Sequence, residues 1–273
     1  MKATLYEVAF YFCIMSTQPI GIFDSGIGGT SIFKEIHALL PYENTIYLAD
    51  SHNAPYGNLS KEDIIRLSIK NTELLIKKNC KIIVVACNTA TTNAIKTLRS
   101  QYNIPFIGIE PAIKPAALQT QTKAIGILAT KGTLSSELFH KTTDLYSNGI
   151  TVIEQVGEGI VKLIEEGKTF SDAMRTLLKI YLKPMVQANI DYLVLGCTHY
   201  PYLMPLLLEL LPPHVKIIDS GEAVARQTKA ILESHQLYNA KKSKPTNQFF
   251  TNGNVDVLKS ILNEKFKVAY LDF

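Results

Sequence analysis

The chain has 273 residues, enough for one large or two medium domains with proper cores. It is 47% hydrophobic and 19% charged, the composition of an ordinary globular protein. A net charge of +4, spread along the chain, is too mild to argue for a nucleic-acid partner, and no apolar run is long enough to span a bilayer.

Residues 1–14 include an apolar stretch, Val8 to Ile14, with a thin charged flank and no small-residue cleavage site after it. Met15-Ser16-Thr17-Gln18 is a more ordinary start, so residues 1–14 read as an extension outside the core or a misassigned start. A strand over 19–23 runs into Asp24-Ser25-Gly26-Ile27-Gly28-Gly29, and a helix over 29–40 follows. Glycines between a buried strand and a helix let backbone N–H groups approach an anion. The spacing fits neither a Rossmann fingerprint nor a P-loop, which leaves a small carboxylate as the expected anion. A tight turn capped by Ser25 or Thr30 is the competing reading. Asp24 is out of place in an anion-binding turn unless it accepts a proton or holds an ammonium group.

A strand over 45–49 leads into the irregular loop Asp50-Ser51-His52-Asn53-Ala54-Pro55-Tyr56-Gly57. Tyr56 and Gly57 can offer a hydroxyl and a backbone N–H to a polar ligand, or the segment is a proline-initiated turn. A helix over 61–79 precedes a strand over 81–86, which ends on Cys87-Asn88-Thr89. After a strand over 105–109, Glu110-Pro111-Ala112-Ile113-Lys114-Pro115 breaks both neighbouring patterns and marks a boundary. Strands over 124–129 and 151–155 flank a helix over 132–146. A helix over 171–188 leads to a strand over 191–196, which ends on Cys197-Thr198-His199. A helix over 202–211, a strand over 215–218 and a second boundary at Asp219-Ser220-Gly221 follow. The last elements are helices over 221–235 and 254–263 and strands over 247–251 and 267–271. The run Lys241, Lys242 and Lys244 between them reads as a solvated loop.

This alternation predicts an α/β fold of two similar three-layer domains with mostly parallel sheets. One domain comprises 15–111 with 220–273, the other 112–219. An internal repeat supports the pair. Ile20-Gly21-Ile22-Phe23-Asp24-Ser25-Gly26 has its counterpart at Ile125-Gly126-Ile127-Leu128-Ala129-Thr130-Lys131, 105 positions later, and the two cysteine strands are 110 apart.

Each of these cysteines falls where a buried strand gives way to a loop, the ligand-binding edge of an α/β sheet. Cys13 and Cys80 read as small hydrophobes, and four scattered cysteines do not make a disulfide framework. Working thiols imply a reducing, cytoplasmic setting. A zinc site from Cys87, Cys197 and His199 matches no common ligand spacing. A nucleophilic hydrolase needs one thiol, and a redox pair usually sits close as Cys-x-x-Cys. A stereoinverting proton transfer needs an acid on one face of a carbon and a base on the other. Cysteine suits it, with a reference pKa of about 8.5. Asp24 and His199 can relay protons to the sulfurs. No lysine has the setting of a pyridoxal Schiff base, so no cofactor and no metal are expected.

Phe23-Asp24-Ser25-Gly26-Ile27-Gly28-Gly29, Pro55-Tyr56-Gly57, Val85-Ala86-Cys87-Asn88-Thr89-Ala90 and Leu195-Gly196-Cys197-Thr198-His199-Tyr200-Pro201 resemble the glutamate racemase family, within the cofactor-independent aspartate/glutamate racemases. The resemblance runs from about residue 18 past Gly221. It implies interconversion of L- and D-glutamate, supplying D-glutamate for bacterial peptidoglycan, at a site between two α/β domains. By motif position it makes Cys87 and Cys197 the proton donor/acceptors and places Asp24, Ser25, Tyr56, Gly57, Asn88, Thr89, Thr198 and His199 around the substrate. A helper glutamate of the family corresponds to Glu165, although Val161-Lys162-Leu163 departs from the proline-containing pattern. A racemase for another amino acid, a decarboxylase on the same scaffold and a non-catalytic amino-acid receptor are the rival readings. A decarboxylase is expected to keep one thiol, and a receptor has no need of two. Apolar helix faces do not separate core from interface, so a homodimer stays open.

Overall fold

The computed structural model describes residues 16–273, and the expectation for residues 1–14 lies outside the described residues. In chain order, the first lobe begins with β1 (Ile20–Asp24), α1 (Thr30–Leu39), β2 (Thr45–Ala49), α2 (Lys61–Lys77), β3 (Ile82–Val85), α3 (Asn88–Gln101) and β4 (Phe106–Gly108). A second set follows: α4 (Ile113–Gln119), β5 (Ala124–Ala129), α5 (Lys131–Leu134), α6 (Glu137–Tyr146), β6 (Thr151–Val156), α7 (Ile160–Glu165), α8 (Asp172–Gln187), β7 (Tyr192–Gly196), α9 (Met204–Leu210) and β8 (Lys216–Ile218). The chain then returns through α10 (Gly221–Ser234), β9 (Asn247–Thr251), α11 (Val255–Ile261) and β10 (Val268–Tyr270).

All ten predicted strands are present, and among the described residues every pairing is parallel. The central strands β1, β2, β3, β5 and β7 are buried at every position, as continuous apolar runs covered on both faces must be. One sheet has the order β10-β9-β2-β1-β3-β4, the other β6-β5-β7-β8. The repeat is visible in that order. Each sheet centres on a strand of the repeated motif, with the next strand on one side and the cysteine strand on the other. Cys87 after β3 and Cys197 after β7 therefore stand at equivalent strand ends.

Two predicted helices differ in detail. The helix expected over 132–146 is two, because Ser136 leaves the helical path and caps α6 by accepting from the Phe139 N–H at 3.3 Å. The helix expected over 202–211 begins as a 3-10 turn, Tyr200–Leu203, before α9, each with a proline near its start. A single apolar cluster reaches from Ile32 and Phe33 in the first lobe to Leu193, Leu195 and Tyr200 in the second, so the lobes share core.

A buried ion pair ties four distant segments of the first lobe. Lys81 Nζ donates to Glu43 Oε2 at 2.5 Å and to the Ser16 carbonyl at 2.5 Å, while Glu43 Oε1 accepts from the Asn239 N–H at 2.8 Å. Burial pushes the Glu43 carboxyl up and the Lys81 ammonium down, and each partner's charge resists the change. Removing one partner strands a buried charge. Lys81→Met is expected to cost about 3–5 kcal/mol in urea unfolding, and adding Glu43→Gln, which keeps an acceptor for Asn239, to recover most of it.

Candidate active site

The fold brings the C-terminal ends of β1, β3 and β7 to one place. Cys87 caps α3: its sulfur accepts from the Ala90 N–H at 3.4 Å, and its thiol donates to Ser25 Oγ at 3.6 Å. Cys197 Sγ lies 3.8 Å from His199 Nδ1. Both sulfurs line one buried cavity together with Ser25, Tyr56, Gly57, Asn88, Thr89, Thr198 and His199. Asp24 lies just behind it, fully buried, accepting from the Gly29 N–H at 2.8 Å and from Thr198 Oγ1 at 3.3 Å. The sequence-predicted site residues thus converge on one place. The cavity measures only about 10 Å³, room for one water.

Three features differ from expectation. The glycine turn does bind carboxylates, but they are the protein's own: the Ile27 N–H donates to Glu165 Oε1 at 2.7 Å, and the Gly29 N–H to Asp24. Its glycines are needed for close approach. A Cβ on Gly26 would lie 1.9 Å from Glu165 Oε1, and one on Gly28 would lie 2.2 Å from His199 Nδ1. Neither Ser25 nor Thr30 caps α1, whose N-cap is Gly29. Tyr56 does not turn its hydroxyl toward a ligand. It donates to Asp50 Oδ2 at 2.5 Å and accepts from Asn71 Nδ2 at 3.1 Å, which fixes the Tyr56-Gly57 turn and leaves its ring and backbone to the cavity.

Glu165, at the end of α7, bridges the lobes. Its Oε1 takes the Ile27 N–H and accepts from His199 Nε2 at 2.6 Å, and its Oε2 accepts from Ser51 Oγ at 2.9 Å. Ser51 was not singled out in the sequence. Nor was Thr130, which lines the cavity and shares a 2.7 Å hydrogen bond with Thr89. The repeat held the signal for Thr130, the counterpart of Ser25. Asn88 stands apart: it is buried in the cavity wall, and neither its Oδ1 nor its Nδ2 has a partner. Orphaned buried amides are costly, so both ends are available to a ligand.

The electrostatics separate the two sides. On the Cys87 side, burial pushes the thiol up strongly, and the neighbouring Asp24 carboxylate pushes it further. Burial likewise raises Asp24 to about 6, against the pull of His199 and the Gly29 N–H. On the Cys197 side, burial alone would lower His199, but its bonds to Cys197 and Glu165 outweigh that and hold the imidazole well above its ordinary value. Each sulfur therefore has a titratable partner: the Asp24 carboxyl beside Cys87 and the His199 imidazole beside Cys197.

Residues 20–228 match the family described as Asp/Glu/Hydantoin racemase, and the chain belongs to that family. It is an amino-acid racemase, an isomerase. It is 44% identical to the glutamate racemase of Herpetosiphon aurantiacus over 239 residues, covering 88% of this chain and 94% of that one. With the glutamate racemase of Ectopseudomonas mendocina it shares 42% over 248 residues, 90% of this chain and 94% of that one. The crystal structure of Escherichia coli glutamate racemase, in complex with L-glutamate and the activator UDP-MurNAc-Ala, superposes with a TM-score of 0.83 at 33% identity, covering 93% and 97% of the two chains. Glutamate racemase isoform RacE1 from Bacillus anthracis gives 0.85 at 30% identity, covering 94% and 98%. Among the described residues no helix is long and apolar enough to cross a membrane.

Asp24 carries a measurable penalty. The fold prefers its protonated form, so ionising it costs stability at pH above its folded value, and the cost vanishes below the unfolded value near 3.8. Asp24→Asn is therefore expected to stabilise the protein by up to about 3 kcal/mol at pH 8 and by almost nothing at about pH 3, read by urea unfolding at the two pH values.

Proposed function

We propose that the chain is a glutamate racemase that interconverts L- and D-glutamate by two-base proton transfer between Cys87 and Cys197, without a cofactor. The observation that carries this reading is that Cys87 and Cys197 line one small cavity from equivalent strand ends, each beside its own titratable partner, Asp24 or His199. In either direction one sulfur, as thiolate, takes the α-proton. The electron pair passes into the α-carboxylate as a planar enediolate, and the opposite thiol delivers its proton to the other face. Asp24 beside Cys87 and the His199–Glu165 pair beside Cys197 return the sulfurs to their starting states. Neutral donors stabilise the developing charge without quenching the base: the orphaned Asn88 amide and the hydroxyls of Ser25 and Thr89. The Tyr56-Gly57 turn closes the substrate side, and exclusion of water strengthens each of these interactions.

The domains in this reading are 15–111 with 220–273, and 112–219, closing on substrate. In this reading the D-glutamate serves peptidoglycan synthesis, and a reducing cytoplasm, where thiols persist, is the setting that suits it. The sequence identity to curated glutamate racemases favours glutamate over other amino acids.

Racemisation of L-glutamate without added cofactor tests the reading directly. Cys87→Ala and Cys197→Ala are each expected to lower the rate by more than about 1,000-fold, since proton transfer by a positioned group contributes about 10²–10⁴. A single variant racemising near the wild-type rate would sink the two-thiol scheme. Asp24 must be ionised to take a proton from Cys87, so kcat/KM is expected to fall as pH drops through about 6, and Asp24→Asn to lose that limb along with most of the rate.

A further inference from the structure

The closed cavity shares a wall with a much larger space. A cleft of about 580 Å³ opens beside it, and Pro55, Gly57, Thr130 and Val161 line both. Its sides are built from the loops that follow β2 and β6, which are equivalent in the repeat, and from the starts of α5 and α7. Three charged side chains line it: Lys131, Lys162 and Glu158. Lys131 is exposed and has no carboxylate within ion-pair distance among the described residues. Lys162 reaches Glu166 only at 3.9 Å, and Glu166 is held closer by Lys168, at 2.7 Å. Among the described residues Lys131 is thus free, and Lys162 only loosely paired, at the mouth of a site that must take in an anion.

We propose that this cleft is an outer binding site, an antechamber in which Lys131 and Lys162 collect a dicarboxylate amino acid before the lobes part and admit it. The proposal rests on the glutamate racemase reading. Glutamate carries a net negative charge at neutral pH, and an amino acid with a neutral side chain carries none. The antechamber therefore raises the local concentration of the dicarboxylate selectively. Product leaves by the same route with the same charge, so capture speeds neither direction at the expense of the other. Glu158 opposes the two lysines and weakens the capture, which gives the proposal a consequence of opposite sign.

Steady-state kinetics on the full-length wild type and three charge variants test it at about 20 mM ionic strength, where screening is weak. Lys131→Glu with Lys162→Glu is expected to raise KM for glutamate by about fivefold or more with kcat within about twofold, as a local-concentration effect requires. Glu158→Lys is expected to lower KM by about twofold or more at unchanged kcat. Raising salt to about 0.3 M is expected to raise the wild-type KM and shrink both differences. The opposite signs separate an electrostatic effect from damage to the fold, which only raises KM or lowers kcat. A double variant with wild-type KM, or a KM rise in Glu158→Lys, overturns the antechamber while leaving racemisation intact. A wild type that does not racemise glutamate overturns both this proposal and the reading beneath it.

Discussion

Two thiols can act on opposite faces of one carbon only if they approach it from opposite sides of a closed space. Parallel α/β sheets place loops at the carboxyl ends of their strands, and a single sheet presents one such edge. Two sheets with edges facing each other present two. The orders β2-β1-β3-β4 and β6-β5-β7-β8 are the same arrangement used twice, so the cysteine after β3 and the cysteine after β7 meet across the seam. The glycines at 26 and 28 and the bridging Glu165 serve this meeting. Without room for the Glu165 carboxylate and the His199 ring against the backbone, the lobes could not come close enough to shut out water.

The closed state is held by polar contacts that cross the seam. Glu165 joins the Ile27 amide and Ser51, Ser31 Oγ donates to the Thr198 carbonyl at 2.9 Å, and Thr89 meets Thr130. The hydroxyl-to-carbonyl and hydroxyl-to-hydroxyl contacts are worth about 1 kcal/mol net each and the two accepted by the Glu165 carboxylate about 1.5–3, so the set can be broken and remade during turnover. The shared apolar cluster is not exchanged so cheaply. It suits a hinge that opens the mouth while the back of the molecule stays packed. The burial that shields the site also raises Asp24 and Cys87, so these shifts and the exclusion of water have one cause.

Much of this was legible in the chain because strand ends and motif residues are local features. Ile82 to Val85 followed by Cys87 reads as a buried strand ending on a thiol whatever surrounds it. The offset between the two halves adds the second thiol. What stayed hidden depends on contacts between residues far apart in sequence. Nothing near Tyr56 announces that Asp50 and Asn71 take up its hydroxyl, because Asn71 arrives from α2. The glycine turn reads as a place for a ligand's carboxylate, and no local pattern reveals that Glu165, 138 positions away, occupies the Ile27 amide. Thr130 was within reach, since it is the repeat partner of Ser25. The break at Ser135–Ser136 was masked by an apolar periodicity that continues through it.

The central claim is that two different groups handle the proton, one on each face of the α-carbon. The most direct measurement starts from L-glutamate carrying protium at Cα in deuterated buffer, stopped early in the reaction. The account predicts that nearly all D-glutamate formed carries deuterium while the remaining L-glutamate still carries protium, because the delivering thiol has exchanged with solvent. D-glutamate that retains the original protium would mean that one group removes and returns the same hydrogen, and would contradict it.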